Sequence, residues 1–127
     1  MLHDKVISLC QAKNFAALTT LFPSGQPQTQ IMWVDSDGEH VLINTEVHRA
    51  KFTNVEADPR VTVTVWDVAN PYSYVEVRGR VVATVRGDEA RADIDRLAQK
   101  YTGKDYASEV TSERVILKIA ADRQVIH

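Results

Sequence analysis

Cysteine is almost missing from this chain. Cys10 is the only one in 127 residues, so no intrachain disulfide can form, which fits a reducing compartment. No run approaches the ~18 consecutive apolar residues that a membrane helix needs, and Asp4 and Lys5 stand where a secretory leader would be apolar. A cytoplasmic protein is therefore expected, with no membrane partner. Basic excess is also lacking. The formal net charge of -2 provides no global positive field to gather nucleic-acid phosphates. Glycine is scarce, and the five present form no Gly-x-Gly-x-x-Gly fingerprint, no P-loop and no Gly-x-Ser-x-Gly elbow. The four histidines, His3, His40, His48 and His127, are scattered without ligand spacing, so no metal site is expected. Asp35, Asp37 and Glu39 begin like a calcium loop but do not continue as one, and read as turn chemistry.

What is present is the composition of an ordinary globular domain, 44% hydrophobic and 25% charged. One domain over 1–127 is expected, large enough to bury about two-thirds of its unfolded surface. Leu2, Val6, Leu9 and Cys10 make one face of a first helix, which assigns Cys10 to packing. Phe15–Phe22, Gln26–Asp35 and His40–Asn44 read as strands, separated by turns at Pro23-Ser24-Gly25 and Asp35-Ser36-Asp37-Gly38. Two successive hairpins predict an antiparallel meander.

Further on, Arg60–Asp67 alternates strictly, with Val61, Val63 and Val65 on one side. Ser73–Arg86 alternates again, with Val75, Val77, Val81 and Val85 inward and Gly79 marking a bulge or bend. Asp88 is the expected N-cap of a second long helix striped by Ala90, Ile94, Leu97, Ala98 and Tyr101, which Gly103 ends. A last strand spans about Arg114–Ala121. Six strands, three helices and no βαβ alternation predict a mainly β protein, a closed antiparallel barrel with peripheral helices at its rim.

One short helix has its charges reversed. Between Asn44 and Pro59, His48, Arg49 and Lys51 stand at the start, and Glu56 and Asp58 at the end. The helix dipole disfavours that order by roughly 0.3–1 kcal/mol per charge. Free N–H groups, a positive dipole end and two long cations make a phosphate cradle instead.

Ala17-Leu18-Thr19-Thr20, Gly25-Gln26-Pro27-Gln28, Leu42-Ile43-Asn44-Thr45, Arg49-Ala50-Lys51 and Asp58-Pro59-Arg60 follow one another between Phe15 and Gly79. In order and spacing they resemble the pyridoxamine 5'-phosphate oxidase-like family, the FMN-binding split barrels. Within it, Arg49-Ala50-Lys51 most resembles the small actinobacterial branch that uses the deazaflavin coenzyme F420. True pyridoxamine phosphate oxidases carry a further C-terminal segment that reads the pyridoxal substrate. The chain here stops at Ile126-His127, so vitamin B6 oxidation is not expected.

The resemblance implies a six-stranded antiparallel split barrel of Greek-key type, and a homodimer with two cofactor sites at the subunit interface. Arg49 and Lys51, flanking Ala50, would grip the cofactor phosphate, with Asn44 or Thr45 adding a polar contact. Gln28 and Gln30 share a face with Met32 and would line the ring site, and Ile43 would supply backbone and apolar contact near the ring. Tyr72 and Tyr74 would approach from the partner subunit, whereas Trp33 and Trp66 read as dimer or barrel packing. Arg60, Arg78 and Arg80 are candidates for an anionic cofactor tail. No general acid stands out, so no catalytic residue is assigned. The expected activity is hydride transfer from the deazaflavin to an unsaturated small molecule. The alternatives are an FMN-dependent oxidoreductase on the same barrel and a non-catalytic flavin or deazaflavin carrier.

Overall fold

Val61, Val63 and Val65 bury one face of an eight-residue strand, as a period of two requires. The computed structural model describes every residue from Met1 to His127. Along the chain run α1 (Asp4–Gln11), β1 (Phe15–Leu21), β2 (Pro27–Met32), β3 (Asp35–Ser36) and β4 (Val41–Glu46). Then come α2 (Ala50–Ala57), β5 (Arg60–Asp67), β6 (Asn70–Arg86), α3 (Asp88–Thr102) and β7 (Arg114–Ile126). No helix is long and apolar enough to cross a membrane.

The strands form one antiparallel sheet in the order β2-β1-β5-β6-β7-β4-β3. There are seven rather than six, the extra one being the two-residue β3. The edge strands β2 and β3 do not pair, so the sheet curls as a half-barrel instead of closing as the strand pattern predicted. Val63, Val65, Val75, Val77, Leu117 and Ile119 fill its concave side together with Val6 and Cys10 of α1. Burial also raises the Cys10 thiol to about 12, so it packs and does not react.

The predicted meander breaks at one point. β1 and β2 make the first hairpin, but the chain leaves β2 at Met32 and reappears at the far edge of the sheet, where β3 pairs with β4. The crossing residue Val34 is fully buried. Two side chains of α3 satisfy its backbone: the Val34 N–H donates to the Tyr101 hydroxyl at 3.1 Å, and Lys100 Nζ donates to the Val34 carbonyl at 2.6 Å. A buried backbone supplied in this way needs no neighbouring strand.

Phe52 and Val55 bury one side of α2, and Ala90, Ile94, Leu97, Ala98 and Tyr101 one side of α3. Gly87, at φ +77°, takes the N-cap position expected for Asp88. Asp88 and Glu89 lie in the first turn instead, where the helix dipole favours their charge. Gly103 ends α3 in the left-handed conformation.

Candidate functional site

The end of β4 is the organising element. Its register against β7 sets Asn44 opposite Ile116, Thr45 opposite Val115 and Glu46 opposite Arg114. Three residues later Arg49 occupies the N-cap of α2 with no side-chain cap, and the helix begins at Ala50. Here lies a cleft of about 400 Å³. Asn44, Thr45, Arg49, Lys51 and Arg114 line its polar part; Ile31, Met32, Trp33 and Ile94 supply apolar surface, with Tyr106 and Ser108 from the segment 103–113.

Positive charge dominates the cleft. Neither Arg49 nor Lys51 has an ion-pair partner. Lys51 is nonetheless only 7% exposed. Burial lowers its pKa, and the charges of Arg49 and Arg114 lower it further. An ammonium held this way gains most from an incoming anion.

Beneath these cations lies a buried polar network. Arg114 Nε donates to Asn44 Oδ1 at 2.8 Å, and its Nη1 donates to Glu46 Oε1 at 3.1 Å. Asn44 Nδ2 donates to the Ala90 carbonyl at 2.9 Å and to Asp93 Oδ2 at 3.0 Å. Glu46 Oε2 accepts from the N–H and hydroxyl of both Thr111 and Ser112. Burial alone would raise the Glu46 carboxyl, but those hydrogen bonds and the Arg114 charge hold it down to about 2.

Of the residues expected at the site, the structure brings together Met32, Asn44, Thr45, Arg49 and Lys51. Ile43 is fully buried in the hydrophobic core, which leaves its side chain no route to a ligand. Ala50 opens α2 without lining the cleft. Gln28 and Gln30 lie outside the lining; Gln30 is exposed, and Gln28 Oε1 is buried with no partner. Tyr72 is 88% exposed, and Tyr74 stacks on His127 and borders a separate groove with Thr64, Trp66 and Pro71. Within one chain neither tyrosine meets the cleft.

Three readings change. Trp33, expected only to pack, lines the cleft while stacking on Tyr101 at 4.9 Å. Asn44 has both amide hydrogens engaged, so it cannot donate to a ligand. Arg60, Arg78 and Arg80 are paired with Asp58, Glu76 and Asp122 and do not line the cleft. Sequence reasoning missed Ile31, Ile94, Tyr106, Ser108 and Arg114. The one available signal was a charged Arg114 directly before the apolar run Val115-Ile116-Leu117.

The model of the pyridoxamine 5'-phosphate oxidase family matches residues 2–125. Among solved structures, a protein named F420 reductase is 32% identical, with a TM-score of 0.81 over 93% of this chain and 94% of the other. A conserved hypothetical protein of Mycobacterium tuberculosis is 26% identical, with a TM-score of 0.75 over 98% and 82% of the two chains. General stress protein 26 of Bacillus anthracis shares the fold at 18% identity and a TM-score of 0.70, over 95% and 89%. No curated protein matches the chain.

Proposed function

Because the chain belongs to the pyridoxamine 5'-phosphate oxidase family, we propose that it is an oxidoreductase using coenzyme F420 to reduce an unsaturated organic molecule. The observation that carries this reading is the pair of unpartnered cations, Arg49 and Lys51, at the uncapped start of α2. They fit a phosphate: the helix end offers N–H groups and the positive end of the dipole, and the cleft offers no free carboxylate to compete. Thr45 adds a hydroxyl. Met32, Trp33 and Ile94 supply the apolar surface that a planar ring requires.

When bound, the deazaflavin supplies the hydride. This chain's residues bind and orient it: Arg49 and Lys51 hold the phosphate, and the apolar lining shields the ring from water. FMN carries the same ribityl phosphate, so these cations would serve either cofactor. The 32% identity to a protein named F420 reductase, over nearly the whole of both chains, favours the deazaflavin.

A homodimer completes the reading. Ile31 is 62% exposed yet lines the cleft, and across the sheet only Ala17 of β1 separates it from Thr64 of the uncharged groove that Trp66, Pro71 and Tyr74 complete. A second copy over this face would cover both and bring Tyr72 and Tyr74 toward the partner's site. The single buried cysteine suits a reducing cytoplasm.

The test is turnover of reduced coenzyme F420 with a panel of quinones, enones and tetrapyrroles. Stoichiometric loss of reduced cofactor with one of them supports the reductase. Tight binding without turnover across the panel would replace it with a cofactor carrier.

A further inference from the structure

Arg114 is only 6% exposed and lines the cleft. Two of its N–H groups are engaged, one by Asn44 and one by Glu46. A guanidinium carries five, so three are left without an acceptor. Its plane is also braced by the Tyr106 ring, 5.3 Å from the guanidinium carbon. Nη2 makes no hydrogen bond within the chain and is not a buried unpaired atom, so it opens onto the cleft, where an incoming anion can take it up. The two engaged groups fix the direction in which the remaining ones point.

Its supports are themselves fully committed. Asn44 is anchored to Ala90 and Asp93 on α3, and Asp93 is bridged to Arg96 at 3.0 Å. Glu46 Oε2 is occupied by Thr111 and Ser112, leaving Oε1 for Arg114. The carboxylates of this network, Glu46 and Asp93, are therefore held behind Arg114 and Asn44, and neither lines the cleft.

From this geometry we infer that Arg114 is a third contact to the cofactor's anionic group, and that Asn44 and Glu46 are positioning residues acting through it. The inference rests on the anion-binding reading of the cleft, to which it adds a residue and reassigns Asn44. It predicts a ligand gripped by a planar fork as well as by Arg49 and Lys51, so that replacing the fork by a point charge does not preserve the contact.

The experiment measures the preference for a phosphate. Dissociation constants are compared for FMN and riboflavin, which differ by the phosphate alone, and for coenzyme F420 and its deazariboflavin core, which differ by the phosphate and the anionic tail. Arg114→Lys keeps the charge facing Glu46 and should lower the preference by about tenfold or more, the worth of a charge-assisted contact. Asn44→Ala leaves Arg114 in place without its anchor and should lower it by a smaller factor, with affinity for the phosphate-free core unchanged. Melting temperatures and circular dichroism establish that each variant folds, and Asn44→Ala carries the test should Arg114→Lys fail to. Lys51→Ala, run in parallel, should also lower the preference.

A preference that falls in Lys51→Ala but holds in both Arg114→Lys and Asn44→Ala would overturn this inference and leave the Arg49–Lys51 site standing. A preference unmoved by Lys51→Ala would overturn that site instead. Equal weakening of both ligands by Arg114→Lys would make Arg114 a structural residue. A fall in Arg114→Lys alone would refute the positioning role of Asn44.

Discussion

At Gly79 the backbones of β6 and β7 come too close for any side chain. A Cβ built there would lie 1.9 Å from the Ala120 carbonyl oxygen, and the pairing register shifts between Arg78 and Gly79. The shift is a bulge, and bulges bend a strand and increase its twist. Strand β6 pairs with β5 over residues 70–80 and with β7 over residues 75–86, and the bulge falls where the two ladders overlap. Gly79→Ala must move backbone and should cost about 1–3 kcal/mol or more. Chemical denaturation would measure this as a lower midpoint at unchanged slope; a midpoint equal to the wild type would contradict the close approach.

Among the elements, the segment 103–113 is the one whose hold on the fold depends on pH. It delivers Tyr106 and Ser108 to the cleft, and at its far end Thr111 and Ser112 are bound to the Glu46 carboxylate. Because the folded-state pKa of Glu46 lies near 2, below the ordinary 4.5, ionised Glu46 favours the folded state. That contribution is whole above about pH 4.5 and is lost as pH falls toward 2. Amide protection of Thr111 and Ser112 should therefore drop across that range in the wild type. In Glu46→Gln it should be low throughout, and equal profiles in the two proteins would refute the anchoring. The segment shows why part of the site escaped the sequence. Its side chains follow no period, and Arg114 meets Asn44 across 70 positions. Local pattern fixed both ends of β5 because alternating valines carry their own burial; it carried no trace of the β4–β7 register that pairs Arg114 with Glu46. The crossing at Val34 was hidden for the same reason, since the groups that satisfy it come from α3. Arg49 and Lys51, by contrast, were legible because a local rule, the helix dipole, was broken in view.

For the whole molecule, the uncharged groove of Thr64, Trp66, Pro71 and Tyr74, with Tyr72, Val68 and Ile31 exposed on the surface, is the face that the proposed second copy would cover. An obligate interface of that kind typically buries about 2,000 Å² or more. Light scattering at micromolar concentration should give a dimer, and a monomer would remove the shared site from the account. The central claim, that this cleft holds a deazaflavin by its phosphate, is tested most directly by titrating the purified protein with coenzyme F420 and with FMN in the same buffer. The account predicts tighter binding of coenzyme F420, weakening as salt screens the exposed Arg49. Tighter binding of FMN under identical conditions would contradict it.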